Sequence, residues 1–131
     1  MHSDIQFQHA GLQFPVKDVA SSIEFYQSVL GFKIDYEDGD PLSYAVVFRD
    51  EVYIHLCQGD KQLFEIGPGC GFINVTGIDQ LWSHVQVCKV TIIQPLAIRD
   101  FGHGVVFRLF TMKDPDGNVL RIGHAMDEKS E

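Results

Sequence analysis

Basic residues are scarce in this chain. Its 131 residues hold 10 lysines and arginines against 18 aspartates and glutamates, a net charge of −8. Nucleic acid is thereby disfavoured, because phosphates need a basic footprint. An anionic membrane surface is disfavoured too, and a cationic or neutral ligand is favoured. Cysteine is equally sparse. Cys57, Cys70 and Cys88 are odd in number, widely spaced and form no CxxC pair. That argues against a disulfide framework and predicts reduced thiols. No apolar run nears the ~20 residues of a membrane span. Met1-His2-Ser3-Asp4 lacks the basic-then-apolar pattern of a signal peptide, so the sequence predicts a cytoplasmic protein.

What is present is a hydrophobic fraction of 45%, enough for one domain core at this length, and an order of elements that occurs twice. Ile5 to Val16 reads as a strand region. Asp18 stands where a helix N-cap accepts from free first-turn amides. Val19, Ile23, Tyr26 and Leu30 recur at helical spacing, with Val29 broadening the face, and Gly31 suits the residue after the helix, where φ > 0 is wanted. Phe32 to Tyr36, Tyr44 to Phe48 and Val52 to Cys57 read as strands, the last two joined tightly by Arg49-Asp50-Glu51. Gly59 to Cys70 reads as a linker. Gly71 to Thr76 resumes strand, Ile78, Leu81, Trp82 and Val85 form a second helical stripe, and Thr91 to Ile98, Val105 to Met112 and Val119 to Gly123 supply three more strands. The order is βαβββ twice, at an offset of about 60 residues. Each half alone leaves a sheet face uncovered.

Asp114-Pro115-Asp116-Gly117-Asn118 carries the strongest local signal. Pro115 presets φ for a turn, the Asp and Asn side chains bond nearby backbone, and Gly117 permits φ > 0. Taken by itself, this is a β-hairpin turn.

Several pieces together go further. They are Pro15-Val16-Lys17-Asp18-Val19, Ile23-Glu24-Phe25-Tyr26 with Leu30-Gly31-Phe32, the stretch Gly71 to Asp79, and Lys113 to Leu120. From about Gly11 to His124 the chain resembles the vicinal oxygen chelate superfamily of glyoxalases, bleomycin resistance proteins and dioxygenases. The resemblance implies an α+β fold of two βαβββ modules, residues 5–58 and 70–124. Together they form a curved mixed sheet around a cleft, in a homodimer that can be domain-swapped. In the metal-dependent members four side chains hold the ion, and the matching positions here are Gly11, His55, Phe72 and Arg121. Only His55 has a donor a metal can use, and Arg121 carries a fixed positive charge. The expectation is therefore no metal and no cofactor.

That departure resembles the bleomycin-resistance subgroup, which keeps the fold and acts by sequestration. It implies a small-molecule ligand, cationic or aromatic, held between subunits by aromatic stacking and acidic charge. Tyr36 and Tyr44 fall where that subgroup carries stacking aromatics, and Asp35, Glu37, Asp38 and Asp40 lie beside them in sequence. The subgroup's usual Trp-Gly pair is replaced by Phe101-Gly102, which sets bleomycin apart from the broader ligand class. The alternative is a metal-dependent lyase, isomerase or dioxygenase with a displaced metal site.

Strand alternation gives candidate lining residues without the family. Val52, Ile54 and Leu56 share one face, and Tyr53, His55 and Cys57 the other. Phe72, Asn74 and Thr76 oppose Ile73 and Val75, and Arg121 opposes Leu120 and Ile122. The aliphatic faces should pack on the helices. The mixed faces should line a pocket of Tyr53, His55, Cys57, Phe72, Asn74, Arg121 and, from the first strand, Gln13. His55 reads as a polar lining residue more than a general base. Cys57 lies two residues from it with no orienting third group, which argues against a nucleophile. Arg121 could clamp a ligand carboxylate or phosphate, or pair with Glu65. Trp82 reads as core, and His9, His84, His103 and His124 as surface groups.

Overall fold

The computed structural model describes residues 4–8, 10–58 and 68–126. Glu65, His9 and most of the expected linker lie outside the described residues. The first module runs β1 (Leu12–Pro15), α1 (Val19–Leu30), β2 (Lys33–Asp38), β3 (Tyr44–Arg49) and β4 (Val52–Cys57). The second runs β5 (Cys70–Asn74), α2 (Ile78–Val87), β6 (Thr91–Asp100), β7 (Val106–Lys113) and β8 (Val119–Ala125). The sheets have strand orders β1-β4-β3-β2 and β5-β8-β7-β6. In each, the first strand lies parallel to the last and the other neighbours are antiparallel. The doubled βαβββ order of the sequence is the order of the fold.

The first strand is shorter than its composition suggested. β1 pairs with β4 from Leu12↔Ile54 to Pro15↔Cys57, and β4 begins at Val52. By that register residues 4–8 lie beyond the start of β4. Ile5 and Phe7 stand 52% and 90% exposed instead.

Helix α1 ends as its sequence predicts. Gly31 adopts φ 70° and its amide donates to Gln27 O, while the Phe32 amide donates to Tyr26 O. These bonds satisfy carbonyls that the last turn would leave orphaned. The start differs. Asp18 occupies the N-cap position in extended conformation, but its carboxylate accepts from the Ser21 hydroxyl at 2.6 Å rather than from a backbone amide. The Val19 amide donates to Gln58 Oε1 at 3.4 Å.

One hydrophobic core serves both modules. Val19, Ile23, Tyr26 and Leu30 of α1 share it with Ile54 and Leu56 of β4 and with Phe110, Met112, Leu120 and Ile122 of the second sheet. Trp82 packs on Phe110 with ring centroids 5.1 Å apart, the core role read from its spacing. His84, expected to be a bare surface group, also bridges the helices, donating to Val29 O at 2.9 Å. At the seam, β5 lies so close to β1 that side chains are missing. A Cβ on Gly69 would lie 2.4 Å from Phe14 Cδ1, and one on Gly71 2.6 Å from Leu12 Cδ1.

The turn Asp114–Asn118 joins the modules. Asp114 Oδ1 accepts the amides of Asp116 and Asn118, and Oδ2 accepts Asn118 Nδ2 and the Tyr26 hydroxyl, all at 2.9 Å. Asn118 also donates to Pro15 O at 3.1 Å and accepts the Gly69 amide at 2.7 Å. Asp116 accepts the Lys17 amide at 2.9 Å. Burial pushes the Asp114 carboxyl above the usual carboxylate range, against hydrogen bonds that pull it down. Burial also raises the Tyr26 phenol, with the neighbouring Asp114 charge adding to it. The hairpin turn is thus a latch reaching from β8 back to β1, α1 and β5.

The same tight fit appears on β8. A Cβ on Gly123 would lie 2.6 Å from Leu109 Cβ and 3.0 Å from Arg108 O. Those atoms cannot yield without disturbing the β7–β8 ladder. Gly123→Ala should therefore lose about 1–3 kcal/mol through overpacking, read as a lower denaturant midpoint at unchanged slope.

Candidate functional site

Each sheet turns one face to the helices and leaves the other open. In the first sheet the antiparallel rungs Tyr44↔Cys57, Val46↔His55 and Phe48↔Tyr53 set the open face, and Gln13 joins it opposite His55. Facing pairs across a ladder project the same way. Ala45, Val47, Ile54 and Leu56 project to the core, each fully buried. On β2 a bulge at Asp35 breaks the alternation, after which Tyr36 pairs with Val46 and Asp38 with Tyr44. The acidic run is therefore split. Asp38 shares the tyrosine face, while Glu37, opposite Ala45, projects the other way.

The aromatic groups of this face touch one another. Tyr36 and Tyr44 meet edge to face at 6.3 Å, Tyr44 and His55 at 5.7 Å, and Phe48 stacks on Tyr53 at 5.5 Å. Tyr36 and Tyr53 remain 51% and 43% exposed, a large apolar area to leave in water. The Tyr44 hydroxyl contacts His55 Nδ1. Desolvation, then the Cys57 charge, raise its pKa, while a bond with Gln13 works the other way. The phenol hydroxyl and Nδ1 share one hydrogen bond, whose direction is set by the imidazole tautomer. Nε2 points to the space above Gly11, where a Cβ would lie 3.2 Å away. Cys57 is buried at 6% exposure.

The open face of the second sheet is built likewise. Phe72 pairs with Arg121, Arg121 with Thr111, Phe107 with Ala125 and Arg99 with Phe107. Arg121 Nη2 lies 3.4 Å from Gln94 Oε1, which also accepts the Thr111 hydroxyl at 3.0 Å. Its guanidinium carbon sits 5.7 Å from the centre of Phe101. Phe107 meets Phe72 at 5.2 Å and Phe101 at 6.1 Å. Asn74 ends β5 on the Phe72 side of the strand and is exposed.

The lining and stacking candidates thus fall on two separate open faces, Gln13, Tyr36, Tyr44, Tyr53, His55 and Cys57 on one and Phe72, Asn74 and Arg121 on the other. Sequence reading did not place Arg99, Phe101 or Phe107 on this face. The expected strand Thr91 to Ile98 stopped one residue before Arg99. Bulges between Ile92 and Gln94 and between Gln94 and Ala97 also break the alternation that would have placed it. A cleft of about 680 Å³ lies elsewhere, on the helix side between the modules, bordered by Leu30, Phe32, Val52, Ile73 and Leu81. Of the candidates it borders Asn74 and none of the aromatic residues.

A family model for the Glyoxalase/Bleomycin resistance protein/Dioxygenase superfamily matches residues 6–122. The chain belongs to this superfamily. Bleomycin resistance proteins of Geobacillus stearothermophilus and Staphylococcus aureus are each 32% identical to it over 125 residues, covering 81% of this chain and 88% of theirs. Among solved structures, the bleomycin-binding protein of Streptomyces verticillus complexed with copper(II)-bleomycin matches with a TM-score of 0.68 at 22% identity, over 93% of this chain and 99% of that one. TioX from Micromonospora sp. ML1 matches with a TM-score of 0.74 at 13% identity, over 92% and 100%. At those identities both are likenesses of fold.

The superfamily includes enzymes that hold a metal, so its four ligand positions can be tested against this chain. They pair up in space, Gly11 against His55 and Phe72 opposite Arg121. Gly11 and Phe72 offer no donor atom, His55 has Nδ1 engaged by Tyr44, and Arg121 repels a cation. The residues do not fit a divalent ion. Among the described residues, no other group of three or more His, Cys, Asp or Glu side chains is placed to hold one. No described helix is long and apolar enough to cross a membrane.

Proposed function

We propose that this superfamily member binds and sequesters a flat aromatic or cationic small molecule without transforming it. In this reading the ligand lies in a crevice between two copies of the chain, where the open face of one module meets that of a partner. The carrying observation is the exposed aromatic surface of Tyr36, Tyr53 and Phe72, with half-buried Tyr44 between the first two, on two open sheet faces. Such faces suit stacking, and each needs a second wall to exclude water. Exposed Ile5 and Phe7 ahead of β1 give a second copy further apolar surface to cover. Asp38 beside the tyrosines favours a positive group. The likeness to bleomycin resistance proteins supports sequestration, and the unsuitable metal positions weigh against the lyase, isomerase and dioxygenase alternatives. Cys57 is buried in the sheet rather than offered to a substrate.

The test is calorimetric titration with bleomycin and a panel of cationic aromatics, alongside light scattering. A dimer in solution and micromolar binding of at least one compound is the expected result. A monomer that binds none of them at millimolar concentration would overturn the reading.

A further inference from the structure

The open face of the second module carries two arginines that no acid of the described protein neutralises. The third arginine of this sheet is different. Arg108 projects to the helix side and pairs with Asp79 at 2.7 Å. Among the described residues, Arg121 has only Gln94 Oε1 and the ring of Phe101 as partners. Arg99 has a buried Nε with no hydrogen-bond partner. A buried guanidinium nitrogen left unbonded is costly, and native proteins rarely keep one without a reason.

Both arginines border the same group of rings. Arg99 faces Phe107 across the β6–β7 ladder, Phe107 touches Phe101 and Phe72, and the Arg121 guanidinium lies over Phe101. Planar guanidiniums stacked on aromatic rings keep their edges free for a planar oxyanion, which they bind through paired N–H groups. The chain is acidic overall, with a net charge of −8, so two cations that no described acid neutralises, on one apolar face, are a local exception to its composition.

We propose that this face binds the carboxylate of an aromatic acid. Arg99 and Arg121 hold the oxyanion, and the flat part of the molecule lies on Phe72, Phe101 and Phe107. The inference rests on the binding reading above and sharpens its ligand class. A ligand spanning the crevice would carry an acidic group at the second module and a neutral or positive part against Tyr36, Tyr44 and Asp38 of the first.

The experiment is titration of the full chain with three probes of one ring system: naphthalene carboxylate, the neutral naphthalene carboxamide and naphthylmethylammonium. The carboxylate should bind about tenfold more tightly than the carboxamide, as expected for charge-assisted bonds replacing neutral ones. Arg99→Met and Arg121→Met should each remove most of that preference, bringing carboxylate and carboxamide affinities to within about twofold of each other. Binding of the ammonium or carboxamide as tightly as the carboxylate would overturn the anion site and leave the stacking reading standing. A carboxylate preference that persists in both variants would also overturn it. Binding of none of the three would remove the stacking surface and the anion site together.

Discussion

Asp114→Asn should lower the stability of this protein by about 3 kcal/mol, or about 10 °C in melting temperature for a domain of this size. The carboxylate accepts four donors: the amides of Asp116 and Asn118, the side-chain amide of Asn118, and the Tyr26 hydroxyl. An asparagine presents an NH2 group to one pair of them in either orientation. Turned toward the backbone, it meets two N–H groups that cannot move. Turned toward the side chains, it meets Asn118 Nδ2, and only the Tyr26 hydroxyl can rotate to accept. Flipping Asn118 does not help. It would lose the bond to Pro15 O and set an NH2 against the Gly69 amide. Asp114 and Asn118 are 4% and 0% exposed, so water cannot take over. Asp116→Asn is the control, because an amide oxygen can still accept from Lys17 at this exposed contact; it should lose under about 1 kcal/mol. Urea unfolding of the three proteins decides the matter. An Asp114→Asn midpoint matching that of the control would mean that the latch contributes nothing.

The second large effect concerns binding. Tyr44→Ala should weaken binding of a cationic aromatic compound by tenfold or more, about 1.4 kcal/mol. The variant loses one aromatic face, worth about 0.5–1.5 kcal/mol as a ring contact, and a cation–π partner of about 0.5–2 kcal/mol. It also removes the ring that Tyr36 leans on and the hydroxyl that contacts His55. Tyr44→Phe keeps the ring and frees His55 Nδ1, so it should show a smaller loss. Titration calorimetry at low and high salt separates the terms, since the charge-dependent part shrinks with ionic strength. Equal affinity of wild type and Tyr44→Ala would remove the first module's open face from the site.

Much of the fold was legible because it is local. Helical spacing found Val19 to Leu30 and Ile78 to Val85, and alternation assigned Ile54, Leu56, Leu120 and Ile122 to the core, where the structure buries them. Two errors and one omission share one cause, that a strand or side chain is decided by its partner. Ile5 to Phe7 has strand composition but no strand beside it. Asp35 was grouped with its acidic neighbours, yet the bulge against β3 removes it from the alternation. Tyr26 was read as one more apolar residue on a helical stripe, and its hydroxyl partner lies 88 positions away. The candidate site was legible as two sets of side chains and not as two faces, because the sheets are assembled from strands far apart in sequence. Arg99 stayed hidden behind two bulges.

The latch and the open faces draw on different residues. Asp114, Asn118 and Tyr26 hold the modules together from the side that carries the helices, while Tyr36, Tyr44, Phe72 and Arg121 contribute little to that joint. Substitutions distant from one another act independently on stability. Substitutions on the open faces should therefore leave the joint intact. The motif most useful for placing a sequence in the superfamily is for that reason a poor guide to what the molecule captures.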